Sequence, residues 1–115
     1  SYRGDVGDTR YSPVEKLYNY LSEAGAIITC HDPYVKYWDE QLLEIEQDVT
    51  TLLSSSPEII IISTGHTIYK NQQTIDALHN LDSAFIYDTI GLLSVDQIEH
   101  LQQKHTIKVL GRGDL

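Results

Sequence analysis

The chain has 115 residues, a formal net charge of −9, 41% hydrophobic residues and 22% charged residues. This length allows one domain with a single modest core. The acidic balance disfavours nucleic acid as a partner, because nucleic-acid binding needs a basic face. No apolar run approaches the roughly 18 residues that span a bilayer, so we expect no membrane partner either. A single cysteine, Cys30, cannot form an internal disulfide, which fits a cytoplasmic location.

The three arginines lie at the two ends of this acidic chain, at Arg3, Arg10 and Arg112. A guanidinium group recognises phosphate or carboxylate through paired hydrogen bonds. If the two ends meet in the folded domain, these side chains form a local anion site. The pattern therefore predicts a binding site for a phosphorylated small molecule.

The first third of the chain predicts a helix and then a strand. Ser12 is placed to cap the helix, with Pro13 at its first position and Glu15 completing a capping box. Gly25 ends the apolar helical spacing. The β-branched run 26–30 predicts a strand that leads into a turn, and the aromatic segment 34–38 predicts a loop.

The rest of the chain alternates between short helices and strands. Residues 42–53 predict one or two short helices, residues 70–81 a helix, and Ser94 caps another. Strands are predicted at 59–62, 84–87 and 107–110. Four consecutive isoleucines at 59–62 cannot alternate between core and solvent, so both faces of that strand should be covered.

This alternation predicts an α/β fold: a Rossmann-like, open and mostly parallel sheet with helices on both faces. Ligands bind beyond the carboxyl ends of the strands in such sheets. The segment 2–10 precedes the first helix without a strand before it, although a βα unit needs one. We therefore expect that the first strand is missing from this chain and comes from another part of the polypeptide, or that the chain is a fragment.

Five motifs occur in order along the chain: YRGDVGDTRYSP at 2–13, HDPYV at 31–35, TGH at 64–66, DT at 88–89 and GR at 111–112. The ordered set resembles the C-terminal, nucleotide-sugar-binding domain of the UDP-glucose/GDP-mannose dehydrogenase family. Two positions depart from the family pattern. Arg3 stands where lysine is frequent, and Leu110 stands where aspartate is frequent.

The resemblance implies a role for the whole chain, 1–115, as the UDP-sugar-binding domain of a larger homo-oligomeric enzyme. Such enzymes oxidise the C6 hydroxyl of a nucleotide sugar to a carboxylate with NAD. Carried over by position, Arg10 would reach NAD. Position 3 and the HDPYV motif favour the branch that acts on UDP-N-acetylhexosamines such as UDP-N-acetylmannosamine. The implied substrate contacts are Tyr2, Arg3, Gly4, Asp5, Val6, Gly7, Asp8, Thr9 and Arg112.

The catalytic parts of that family are absent from this sequence. There is no GxGxxG fingerprint and no glycine-rich segment around a catalytic cysteine. The resemblance therefore assigns NAD binding and the chemistry to an N-terminal half, and the 115 residues alone should be inactive. Five histidines and one cysteine show no zinc-ligand spacing, so we expect no metal site and no catalytic residue here.

Several single residues have a structural interpretation beside a catalytic one. Cys30 lies in an apolar run and should be a small buried hydrophobe rather than a nucleophile. His66 should shape the loop after the isoleucine strand rather than transfer protons. Asp5 and Asp8 should cap turns and brace the arginines rather than act as paired acids.

Two other classes of function remain open. One is a stand-alone α/β nucleotide-binding or regulatory module, such as a receiver-like domain with a phosphoacceptor aspartate and a later lysine. The other is a domain that acts only in subunit assembly. Calorimetry with UDP tests them: measurable binding by the chain alone favours a nucleotide module, and absence of binding is compatible with a fragment that needs its other half.

Overall fold

The computed structural model describes residues 4–5, 7 and 14–112, which fall into two compact units, Ser1–Leu52 and Leu53–Leu115. No helix among the described residues is long and apolar enough to cross a membrane. The predictions for Tyr2, Arg3, Val6, Asp8, Thr9, Arg10, Ser12 and Pro13 lie outside these residues.

The first unit contains the predicted helix as α1, Val14–Glu23. Its end is made by Gly25, whose φ of +89° is a left-handed conformation that side chains other than glycine rarely adopt. The N–H of Ala26 donates a hydrogen bond of 3.1 Å to the carbonyl of Leu21 and closes the last turn. The prediction of a helix that stops at Gly25 is confirmed.

The strand predicted at 26–30 does not form. A β-branched run becomes a strand only where a neighbour accepts its ladder hydrogen bonds, and none of the described strands pairs with it. The side chain of Ile27 is fully exposed, at 101%. Backbone pairing begins only at the end of the run, where the carbonyl of Cys30 accepts the N–H of Glu46 at 3.1 Å.

The end of the aromatic segment and the residues directly after it form a small hairpin, where a loop and the start of a helix were predicted. Strand β1, Tyr37–Trp38, pairs antiparallel with β2, Leu43–Glu44. A 3-10 turn at Asp39–Gln41 joins them. The Trp38 side chain is only 5% exposed and meets the ring of Tyr18 on α1 edge-on at 5.5 Å, so packing against a helix fixes the hairpin.

A short helix, α2, follows at Val49–Leu53, where helix was predicted. Asp48 precedes it and accepts hydrogen bonds from the Thr50 amide at 3.1 Å and the Thr51 hydroxyl at 3.1 Å. The hydrogen bond from the Thr50 hydroxyl, followed by these bonds, holds the pKa of Asp48 below its usual range.

The second unit is a three-stranded parallel sheet with the order β3-β4-β5. Its strands are β3, Ile59–Ile62; β4, Phe85–Asp88; and β5, Thr106–Val109. Helices α3, Gln72–His79, and α4, Val95–Gln102, lie between successive strands in the chain and pack against each other. The predicted parallel α/β fold class is confirmed.

Side-chain caps define the start of both helices in this unit. The Asn71 side chain accepts the Thr74 amide N–H at 2.9 Å at the start of α3. Ser94 and Gln97 form a reciprocal capping box at the start of α4. Each cap satisfies amide groups that the first helical turn leaves unpaired.

His105 joins three elements at the amino end of the sheet. Its Nδ1 accepts the Ala84 N–H at 3.0 Å, and its Nε2 lies 2.7 Å from the Leu78 carbonyl. Because Nδ1 accepts, Nε2 carries the proton and donates to that carbonyl. One buried imidazole therefore ties the end of α3 to the starts of β4 and β5.

Replacing His105 with alanine should lower the free energy of unfolding by about 2–6 kcal/mol. The change leaves the Ala84 N–H and the Leu78 carbonyl buried without partners, at about 1–3 kcal/mol for each group. Urea denaturation measures the loss, and Lys104→Ala, at the exposed neighbouring position, is the control. Equal stability of the two variants would contradict the proposed bridging role.

Candidate functional site

The loop at 4–7, which is predicted to bind the substrate, contacts the turn that follows residue 31. A Cβ atom placed on Gly7 would lie 2.5 Å from the backbone oxygen of Tyr34 and 3.3 Å from its Cβ. Contacts below 3.0 Å between such atoms essentially do not occur. Position 7 therefore requires glycine, because the loop backbone touches the backbone of the turn.

Asp5 and Asp32 hold the same turn from two sides. The Asp32 carboxylate is 5% exposed and accepts the Tyr34 N–H at 2.8 Å, which closes an Asx turn. The Tyr34 hydroxyl donates to Asp5 Oδ1 across a long 3.4 Å contact. Asp5 has a φ of +59°, a left-handed conformation that aspartate tolerates better than most residues.

The environment of Tyr34 raises the pKa of its phenol. Partial desolvation contributes most, followed by the negative charge and hydrogen bond of Asp5 and the charge of Asp32. The phenol consequently stays neutral and remains a hydrogen-bond donor to Asp5 over a wider pH range. This links the loop at 4–7 and the turn through a polar contact as well as through backbone packing.

At the carboxyl end of the sheet, Thr89 links two strands. Its amide N–H and its hydroxyl both donate to the Ile62 carbonyl, at 3.0 Å and 2.7 Å. This pair of bonds holds the loop after β4 against the last residue of β3. These hydrogen bonds therefore fix the backbone at the carboxyl end of the sheet, which is the edge where ligands bind in parallel sheets.

The Asp88 carboxylate organises the loop between β4 and α4. Its side chain is fully buried, with one oxygen accepting the Ile90 N–H at 3.1 Å and the other accepting the Leu93 N–H at 2.9 Å. A receiver-like module needs an accessible phosphoacceptor carboxylate. Asp88 offers none because both of its oxygens shape the loop, and Lys108 lies within β5 rather than after it.

Arg112 follows β5 on an exposed turn at the same end of the second unit. Its backbone N–H donates to the Val109 carbonyl at 3.1 Å, and Gly111 before it has a φ of +83°. The glycine reverses the chain directly after the strand, and Arg112 is thereby held near the strand's carboxyl end.

Two residues considered for catalysis are in unfavourable surroundings. His66 is fully buried, and its ring meets that of Tyr69 edge-on at 5.4 Å. Burial raises the pKa of the Cys30 thiol, which disfavours the reactive thiolate. Both observations support structural roles for these side chains.

Of the sequence-predicted substrate residues, Gly4, Asp5, Gly7 and Arg112 are described. The first three lie on the loop of the first unit, and Arg112 lies at the strand ends of the second. Sequence reasoning missed Asp32 and Tyr34 as partners of the loop. The Asp-Pro turn signal identified the turn, but nothing in the spacing indicated what packs against it.

A family model matches residues 1–95 of the chain, and its description is the UDP-binding domain of the UDP-glucose/GDP-mannose dehydrogenase family. The chain belongs to this family. The matched range includes the loop at 4–7, the turn at 32–34 and the strand ends through residue 89.

Among curated proteins, UDP-N-acetyl-D-mannosamine dehydrogenase of Methanocaldococcus jannaschii is 30% identical over 117 residues, covering 99% of this chain and 25% of the relative. The protein of the same name from Methanococcus maripaludis strain S2 is 29% identical over 119 residues, covering 98% and 26%. The chain therefore spans about a quarter of the length of these relatives. No solved structure matches it significantly.

Replacing Asp5 with asparagine should lower the pKa of the Tyr34 phenol towards its ordinary value. The variant removes a negative charge that favours the neutral phenol. NMR titration of tyrosine ring carbons measures the change. Asp39→Asn removes a carboxylate that is not among the causes of the shift and should leave the Tyr34 titration in place. An unchanged value in Asp5→Asn would show that the loop does not approach the turn.

Proposed function

We propose that this chain is the C-terminal, substrate-binding domain of an NAD-dependent nucleotide-sugar 6-dehydrogenase. The substrate is a UDP-sugar, with UDP-N-acetylmannosamine favoured by the names of the relatives. The observation that carries this assignment is the seating of the Gly7 backbone on Tyr34, within the range that matches the UDP-binding-domain family.

A glycine-containing loop held in one shape can present backbone N–H groups to a pyrophosphate. Such groups bind anions without adding side-chain bulk, and a fixed loop loses less entropy on binding. Contacts from Tyr34 to Gly7 and Asp5 fix the described part of the loop. The proposed ligands of the nucleotide sugar are Tyr2, Arg3, Gly4, Asp5, Val6, Gly7, Asp8, Thr9 and Arg112.

Guanidinium groups suit this role on an acidic protein. The net charge of −9 repels an anionic substrate in general. Arg3 and Arg112 supply fixed positive charges with forked donors, which can neutralise a pyrophosphate locally. In this proposal the domain binds and orients the nucleotide, which holds the sugar C6 hydroxyl towards the catalytic half.

The described residues do not fit a dinucleotide site. The turns that follow β3 and β4 lack the glycine spacing with which a Rossmann turn approaches a pyrophosphate. We therefore place NAD and the hydride-transfer chemistry in the rest of a longer, homo-oligomeric polypeptide, with Arg10 reaching towards NAD. No catalytic step is assigned to these 115 residues.

Replacing Arg112 with alanine in the intact enzyme should raise KM for the UDP-sugar roughly tenfold to a hundredfold. A hydrogen bond to a charged group contributes about 1.5–3 kcal/mol. Steady-state NADH formation measures the change. Lys104→Ala removes an exposed cation two residues after the end of α4 and is the matched control. An unchanged KM in Arg112→Ala would remove this residue from the site.

Replacing Gly7 with alanine should weaken UDP binding at least about tenfold while the domain stays folded. The new methyl group would displace the loop from the Tyr34 carbonyl, and a shifted loop no longer presents its donors correctly. Calorimetry with UDP and the intact enzyme measures the affinity.

Gly65→Ala is the folding control for that variant, because its new Cβ would make an ordinary 3.5 Å contact with Ile90. Both variants should keep the thermal transition of the parent protein. Parental UDP affinity in Gly7→Ala would contradict the proposed role of the loop.

A further inference from the structure

The turn that the loop at 4–7 contacts is anchored to the residues that follow β2. The Asp32 N–H donates to the Glu46 carbonyl at 3.0 Å, and the Glu46 N–H donates to the Cys30 carbonyl at 3.1 Å. These two bonds lie on either side of His31, which forms a parallel bridge with Glu46. The backbone that enters the turn is therefore held in place before the turn begins.

The turn itself has little conformational freedom. The ring of Pro33 fixes its φ, and the Pro33 carbonyl accepts the Gln47 side-chain N–H at 3.2 Å. The Asp32 carboxylate, which is nearly fully buried, accepts the Tyr34 N–H at 2.8 Å. Because the backbone that carries this acceptor is anchored, the bond fixes the position of the Tyr34 peptide group.

Tyr34 contacts the loop with both its backbone and its side chain. A Cβ atom on Gly7 would lie 2.5 Å from the Tyr34 backbone oxygen, and the Tyr34 hydroxyl donates to Asp5 at 3.4 Å. A displacement of the Tyr34 peptide group would therefore move the surface against which the loop packs.

We propose that Asp32 is a positioning residue for the nucleotide, an inference that rests on the proposed function of the loop. The carboxylate holds the Tyr34 peptide group, this group supports the loop, and the loop presents its donors to the pyrophosphate. Without the acceptor at position 32, the Tyr34 N–H loses its partner and the loop is no longer held in one shape. Nucleotide affinity then falls, because binding must also order the loop.

Two substitutions at position 32 separate the acceptor from the rest of the side chain. In the intact enzyme, Asp32→Ala should raise the Kd for UDP and the KM for the UDP-sugar roughly tenfold, the effect of one lost hydrogen bond. A residue that acts only on binding leaves kcat unchanged. Asp32→Asn retains an oxygen that accepts the Tyr34 N–H and should keep both constants within about threefold of the parent. Equal losses in the two variants would overturn the proposal.

Asn71→Ala is the control for a loss of stability alone. It removes the cap of α3, in the second unit, and such a loss is similar in size to that of one buried hydrogen bond. Its melting temperature should fall as that of Asp32→Ala does, whereas its UDP affinity should equal that of the parent. If Asp32→Ala melts at a lower temperature but keeps the parental affinity, the residue is only structural and the proposal is wrong.

A measurement without nucleotide distinguishes this inference from the proposed function. In the intact enzyme with isotope-labelled glycine, the NMR signal of the Gly7 amide should shift more in Asp32→Ala than in Asp32→Asn or Asn71→Ala. If the parent enzyme binds UDP but the Gly7 signal of Asp32→Ala stays in place, the positioning role alone is wrong. A parent enzyme that binds no UDP overturns the proposed function and this inference with it.

Discussion

The buried carboxylate of Asp88 is the interaction on which the carboxyl end of the sheet depends. It sits at the end of the middle strand, and its two oxygens accept the amides of Ile90 and Leu93. Without these acceptors the loop that leads to the cap of α4 would leave buried amides unpaired. The adjacent Thr89 binds the end of β3, so two consecutive residues fix both the loop and the strand spacing.

The elements that sequence predicted correctly are those whose signals are local. The cap at Ser94, the stop at Gly25 and the strand at the isoleucine run each depend on neighbours within a few residues. The strand expected at 26–30 failed because a strand needs a partner, and propensity contains no information about one. The hairpin around Trp38 was missed because its two strands have only two residues each, too few to show a period.

In the candidate site, too, some features could be predicted from the sequence and others depend on how the chain folds. Position-by-position resemblance predicts that the loop through Gly7 and the arginine after β5 bind the substrate. It could not show that Tyr34 would lie against Gly7, since that contact depends on the path of the chain across 27 residues. The left-handed conformation of Asp5 was likewise invisible, because no glycine or asparagine marks the position.

The consecutive order of strands in the second unit has a kinetic consequence. Paired residues are 26 positions apart between β3 and β4 (59 to 85), and 21 apart between β4 and β5 (85 to 106). Loop-closure entropy rises only slowly with length, so the two closures differ by roughly 0.2 kcal/mol. Either βαβ half can therefore form first, and the other then adds to it. Because no parallel pairing can form before one of these loops closes, the sheet forms later than the local helices, and the isoleucine strand is exposed to aggregation until β4 pairs with it.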